Sequence, residues 1–211
     1  MIKRVLLDID DVLNEFTVHA LRKVGCQMSG GWRDYMPEWE FNIVKAANEM
    51  LGDQRNADRC AGRPRLHASC NMTSDEFWDC IEYSDWVGVP KSRWFDDVIA
   101  SARKFAGVHN ISLVTAPVVR SNGEVDFACV QGKLNWVEWN LPSFLDKLVI
   151  CRNKWVLATD GSVLIDDSDA NVNLFRKYGG KAITFPRPWN KMHALSSNPM
   201  AYVNGALEAL A

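Results

Sequence analysis

The sequence has no CxxC pair. Its six cysteines (Cys26, Cys60, Cys70, Cys80, Cys129 and Cys151) stand apart, which reads as free thiols rather than a disulfide framework. Cys60, His67, Cys70 and Cys80 share a short span, but their spacing matches no standard zinc pattern. There is no excess of either charge. Lys and Arg total 24 against 26 Asp and Glu, a net charge of -2, which argues against a general binder of nucleic acid polymers or membrane surfaces. No apolar run is long enough to span a bilayer. The run that ends at Asp8 is too short for a signal peptide, so a cytoplasmic location is expected. No GxGxxG follows the first strand-like segment, which disfavours a dinucleotide-binding reductase. The four histidines (His19, His67, His109, His193) form no usable pattern.

What is present is ordinary in bulk and particular in detail. A chain of 211 residues, 47% hydrophobic and 24% charged, can bury one full core, with or without an insert. Five short apolar runs read as buried strands: 4–9, 110–115, 148–151, 162–167 and 181–185. Helical spacing lies between them. Trp94, Val98, Ile99, Ala102 and Phe105 mark one face over 94–106. Leu134, Trp136, Val137 and Trp139 make a dense apolar turn, and 169–178 reads as a further helix. Trp136, Trp139 and Trp155 are assigned to the core. Alternation of strand and helix predicts a parallel α/β sheet with its site at the carboxyl ends of the strands.

Residues 16–93 differ. They hold no convincing strand, a helical pattern at 38–51, and a capping box from Thr73 to Glu76. Between these lies a long loop at 52–72 with four arginines (Arg55, Arg59, Arg63, Arg65), read as a solvated basic loop. The expected organisation is a core of 1–15 and 94–211 with a helical cap at 16–93.

Three of the strands end in chemistry. "VLLDIDDVL" at 5–13 places Asp8, Asp10 and Asp11 together, and "SVLIDD" ends in Asp166 and Asp167. Asp8 and Asp10 are two residues apart, so in extended chain they point the same way. Carboxylates this close repel one another unless a cation lies between them. The pattern calls for a hard divalent ion, Mg²⁺, and Mg²⁺ held by carboxylates serves phosphate substrates. One Asp can attack phosphorus while the other protonates the leaving oxygen and then activates water. Thr115 with Lys133 or Lys154 would hold the phosphoryl oxygens.

These residues resemble the four motifs of the haloacid dehalogenase superfamily: "DID" at 8–10, Thr115 after "SLV", a downstream lysine, and "LIDD" at 164–167. They are most similar to its 5'(3')-deoxyribonucleotidase branch through "DIDDVLNEF" at 8–16, "TAP" at 115–117, "KLNWVEW" at 133–139, "RNK" at 152–154, "VLIDD" at 163–167 and "FPRPWN" at 185–190. In the cap the likeness rests mainly on "EFWDCI" at 76–81. The resemblance implies a Rossmannoid parallel sheet with helices on both faces and a small helical cap inserted after the first strand. It implies Asp8 as nucleophile and metal ligand, and Asp10 as general acid/base that binds the metal through its backbone carbonyl. It further implies Thr115, Lys133 and Lys154 at the phosphate, Asp166 and Asp167 at the metal, and Phe16, Trp78 and, more loosely, Trp39 around a base.

The implied activity is Mg²⁺-dependent hydrolysis of a nucleoside monophosphate, with homodimer formation left open. Asp11 departs from the branch, which often has glycine there. A sugar-phosphate phosphatase is the rival within the enzyme class. A phospho-receiver switch keeps its acidic pair on the first strand and its acceptor on a middle one, the reverse of the order here. A non-catalytic nucleotide binder would not need every catalytic position filled.

Overall fold

In a computed structural model the described residues are 4–60 and 71–211, with the side chains of 53–60 set aside. The strands are β1 (Arg4–Asp8), β2 (Ile111–Thr115), β3 (Leu148–Ile150), β4 (Ser162–Asp166) and β5 (Lys181–Thr184). They form one parallel sheet in the order β3-β2-β1-β4-β5. All five fall on the apolar runs picked out above.

The sheet is apolar on both faces, as an all-parallel sheet must be. Alternation sorts the side chains. Val5 and Leu7 of β1, Ile111 and Leu113 of β2, and Val163 and Ile165 of β4 join the larger cluster. Leu6, Val114 and Leu164 point the other way into a smaller one with Val172 and Phe175.

The helices are α1 (Phe16–Lys23), α2 (Ile43–Cys60), α3 (Ser74–Asp79), α4 (Tyr83–Val87), α5 (Phe95–Ala106), α6 (Phe127–Asn140), α7 (Asp169–Lys177) and α8 (Pro199–Glu208). α5 buries Phe95, Val98, Ile99 and Ala102 and packs on β1, β2 and α8. α7 covers the opposite face against β4 and β5. The Thr73–Glu76 capping box is formed, with reciprocal side-chain and backbone bonds at the start of α3.

Between β1 and α5 the described residues contain helices and short 3₁₀ turns but no strand. The chain leaves and re-enters side by side. Glu15 N donates to the Pro90 carbonyl at 3.0 Å, and Ser92 N to the Leu13 carbonyl at 2.9 Å. The insert therefore stands on two paired linkers.

Some expectations are corrected. The helix expected at 38–51 begins at Ile43, after a 3₁₀ turn over Pro37–Trp39, and runs to Cys60. The first part of the expected 52–72 loop is therefore helical. Arg63, Arg65, His67 and Cys70, and the side chains of Arg55, Arg59 and Cys60, lie outside the described residues. Trp139 is not core: it is 69% exposed on the outer side of α6, while Trp136 three residues earlier is buried. A helix turns by about 100° per residue, so a dense apolar run cannot all face inward. Trp155 is half-buried and stacks on Tyr178 at 4.3 Å.

Candidate active site

The strand order reverses between β1 and β4, and the crevice outside their carboxyl ends is where an open α/β sheet places a ligand. Asp8 ends β1 and Asp166 ends β4. With Asp167 they form a group of three buried carboxylates, each offering an oxygen within 4.8 Å of the others. Among the described residues this is the group of His, Cys, Asp and Glu side chains able to share a metal ion.

Lys154 is buried beneath them, with Nζ 2.7 Å from both Asp8 Oδ2 and Asp166 Oδ2. Were all three carboxylates ionised, one ammonium would leave two negative charges uncompensated. The cost shows in the titration. Asp8 is pushed up to about 8 by burial, with Asp166 and Asp10 adding repulsion against the pull of Lys154. Burial and the neighbouring Asp11, Asp166 and Asp8 also hold Asp167 well above the usual carboxylate range. Burial works against the Lys154 ammonium, yet Asp166 and Asp8 outweigh it and hold the proton on. The donor set is thus hard oxygen that, once ionised, carries an excess of two negative charges, which a divalent cation matches.

The other carboxylates are held by neighbours. Asp166 Oδ1 accepts from Ser168 N at 2.9 Å and its carboxylate also accepts from Asn171 Nδ2. Asp167 Oδ2 accepts from Trp189 Nε1 at 2.8 Å.

Asp10 stands apart from the trio. Its Oδ2 accepts from Lys133 Nζ and from Thr115 Oγ1 at 3.3 Å, and its Oδ1 from Asn14 Nδ2 at 3.2 Å. Lys133 also donates to Thr115 Oγ1 at 3.0 Å and to the Ala116 carbonyl. So Asp8 and Asp10, two residues apart, are served by different lysines: the trio by Lys154 and Asp10 by Lys133. A side-chain metal contact from Asp10 is not what this arrangement offers. The contact that the resemblance implies is through its backbone carbonyl.

Asp11 lines the same cavity, but its carboxylate stands outside the trio. It sits at φ 60, one of two described non-glycine residues with positive φ, a conformation that Asp tolerates better than most. Its carboxylate accepts from Thr17 N at 2.9 Å and Thr17 Oγ1 at 2.6 Å, tying the loop to the first turn of α1. Burial lifts it to about 7, against the Thr17 bonds. Its carbonyl accepts from Arg187 Nε. Arg187 is itself buried, with its guanidinium over Trp32 and Phe185 at 4.7 and 4.8 Å.

A cavity of about 670 Å³ opens above these groups, lined on one side by Asp8, Asp10, Lys133, Lys154 and Asp167. Its other wall carries a slab of nearly parallel rings. Phe16 stacks on Trp86 at 4.5 Å and 5°, and on Trp78 at 6.1 Å and 13°. Of the three expected base-pocket residues, Phe16 and Trp78 line this cavity. Trp39 does not: it is buried edge-on to Tyr35, and its Nε1 donates to Glu49 Oε2 at 2.6 Å. Trp86 was not singled out in the sequence, because nothing local separates a pocket tryptophan from a core one.

The slab is fastened to the core. Arg120, in the loop after β2, donates to Asp79 Oδ1 at 2.9 Å, to Asp126 Oδ2 at 2.6 Å and to the Asp75 carbonyl. Asp75 and Asp79 belong to α3, which carries Trp78.

No protein-family model matches the sequence, and no curated protein matches it either. Solved structures do. A haloacid dehalogenase-like protein of unknown function from Agrobacterium tumefaciens aligns over 100% of this chain and 99% of its own, at TM-score 0.55 and 10% identity. A HAD family hydrolase from Deinococcus radiodurans, solved with bound phosphate and sodium, aligns over 99% and 96%, at TM-score 0.52 and 16% identity. The fold is haloacid dehalogenase-like. The expected Rossmannoid sheet with helices on both faces is therefore what this chain forms, with its helical insertion after β1.

Proposed function

We propose that the protein is a Mg²⁺-dependent phosphomonoesterase that dephosphorylates nucleoside monophosphates, deoxyribonucleotides in particular, in the manner of a 5'(3')-deoxyribonucleotidase. One observation carries the reading: a buried carboxylate trio backed by one lysine presents Asp8 and Asp167 to the same cavity as an aromatic slab. The resemblance of the motifs supports it. So does the bound phosphate of the structurally similar hydrolase from Deinococcus radiodurans.

Asp8, Asp166 and Asp167 would hold Mg²⁺, with the Asp10 carbonyl. When bound, the ion screens the carboxylates and polarises the phosphoryl oxygens. Asp8 is the nucleophile. Its carboxylate oxygen forms a bond to phosphorus as the ester P–O bond breaks, giving an aspartyl-phosphate. Asp10, in its carboxylic acid form, would give its proton to the leaving oxygen. It then takes a proton from a water whose oxygen attacks phosphorus, and inorganic phosphate and the Asp8 carboxylate are released. Lys133 and Lys154 stabilise the negative charge of the transferring group, and Thr115 holds Asp10 and Lys133 in register. A flat base would lie against the Trp78 and Phe16 edge of the slab, with ring stacking worth about 1 kcal/mol beyond the area buried.

The test is phosphate release from ribo- and deoxyribonucleoside monophosphates and from sugar phosphates, with Mg²⁺ and with EDTA. Mg²⁺-dependent release that favours deoxynucleotides is expected. Release from sugar phosphates alone would keep the core chemistry and discard the base pocket. No release from any of them would refute the reading.

A further inference from the structure

Trp86 has a feature at odds with a plain packing role. It is almost fully buried, yet its Nε1–H has no hydrogen-bond partner. Leaving a buried donor unpaired is costly, and a Phe at the same place would carry no such penalty. Something about the indole ring must offset this.

Two contacts indicate what. The ring lies 5.1 Å from the Lys133 ammonium, within cation–π range, and indole is the best of the side-chain rings for such a contact. The backbone is built to bring them together. Lys133 follows Gly132, and a Cβ placed on Gly132 would lie 2.3 Å from Trp86 Cβ. Only a glycine lets α6 lie this close to α4. Phe16, stacked 4.5 Å away, fixes the plane of the indole.

Lys133 in turn donates to Asp10, Thr115 and the Ala116 carbonyl. The ammonium is buried among these partners.

We propose that Trp86, carried by the inserted helical segment, is a positioning residue that seats the Lys133 ammonium beside Asp10 and Thr115. The insert then supplies more than a wall for the substrate, since one of its rings completes the charge geometry of the core. This rests on the phosphomonoesterase reading above, and the experiment separates the two.

The variants are Trp86→Phe and Trp86→Leu. The control is Trp94→Phe, another indole with an unpartnered buried N–H but outside the cavity lining. The substrates are a deoxynucleoside monophosphate and acetyl phosphate, which has no ring to stack. The expected result is a fall in kcat for both substrates, about ten-fold for Trp86→Leu and less for Trp86→Phe. Trp86→Phe should keep or raise the Tm, because it removes an orphan donor. A group that merely contacted the base would raise KM for the nucleotide and leave acetyl phosphate alone.

A second readout does not need turnover. In the wild type the Lys133 side-chain protons should show an upfield ring-current shift by NMR, kept in part by Trp86→Phe and lost in Trp86→Leu. A wild type that hydrolyses neither substrate refutes the phosphatase reading. An active enzyme with no such shift, or with an unchanged kcat for acetyl phosphate in folded Trp86→Leu, overturns the role given to Trp86.

Discussion

Replacing Gly132 by Ala puts the α4–α6 contact under direct strain. The new Cβ would meet Trp86 Cβ at 2.3 Å, Trp86 Cγ at 3.2 Å and the Tyr83 carbonyl oxygen at 3.3 Å. Carbon atoms rest at about 3.5–4.0 Å. None of these atoms is the free end of a flexible side chain, so relief requires the two helices to move apart. Two effects compete. Ala in place of Gly inside a helix gains about 1 kcal/mol. Overpacking costs about 1–3 kcal/mol, and a backbone-to-Cβ clash belongs at the upper end. The clash wins by roughly 2 kcal/mol, which lowers the Tm by about 4–8 °C for a chain of this size.

Gly205, inside α8, is the matched control, because a Cβ there meets nothing within 4 Å. Gly205→Ala should raise the Tm by about 2–4 °C. Calorimetry on the two variants reads both effects, and phosphate release should fall only in Gly132→Ala, since Lys133 is the next residue. A Gly132→Ala protein as stable as the wild type, alongside a stabilised Gly205→Ala, would refute the packing argument.

Asp8→Asn should reduce phosphate release by roughly 10⁴-fold or more, while the metal-free Tm holds or rises because one of three repelling carboxylates is gone; a variant with near-normal turnover would remove Asp8 from its role. Asp8 and Asp11 have folded pKa values of about 8 and about 7, above the ordinary 3.8. Their contribution to stability is thus complete below about pH 4 and is lost as the pH rises through 7 and 8. Thermal melts in EDTA should accordingly fall across that window. Added Mg²⁺ should restore more stability the higher the pH, since it binds the ionised carboxylates; a metal-free Tm that climbs with pH would contradict this. Trp78→Ala should raise KM for nucleotides several-fold, in line with about 1 kcal/mol of stacking, and leave acetyl phosphate unaffected. Trp39→Phe should change neither constant, because Trp39 lies outside the cavity; equal losses in both variants would show that the slab is not where substrate binds.

The five strands were legible in the sequence because a parallel sheet covered on both faces demands continuous apolar runs, and the carboxylates that close β1 and β4 stand where such runs end. The capping box at Thr73 was legible for a similar reason, since it is a bond between residues three apart. The site's acidic groups could therefore be named in advance. How they divide could not. That Asp166 and Asp167 join Asp8 while Asp10 goes to Lys133 depends on the sheet order, which places β4 beside β1 and brings in lysines from α6 and from the turn after β3.

The aromatic residues show the same limit. Phe16, Trp39, Trp78, Trp86 and Trp139 are alike as letters in a chain. Only packing sends three into one slab, buries another against Tyr35 and leaves the last in solvent. Asp11 is the plainest case. In the sequence it is only a departure from the branch beside Asp8 and Asp10, with no role attached; a left-handed backbone brings it to Thr17, where it anchors α1. Local order writes strands and caps because their partners are near in sequence. The charge balance of the site is a sum over residues more than a hundred positions apart, and the tertiary fold alone performs it.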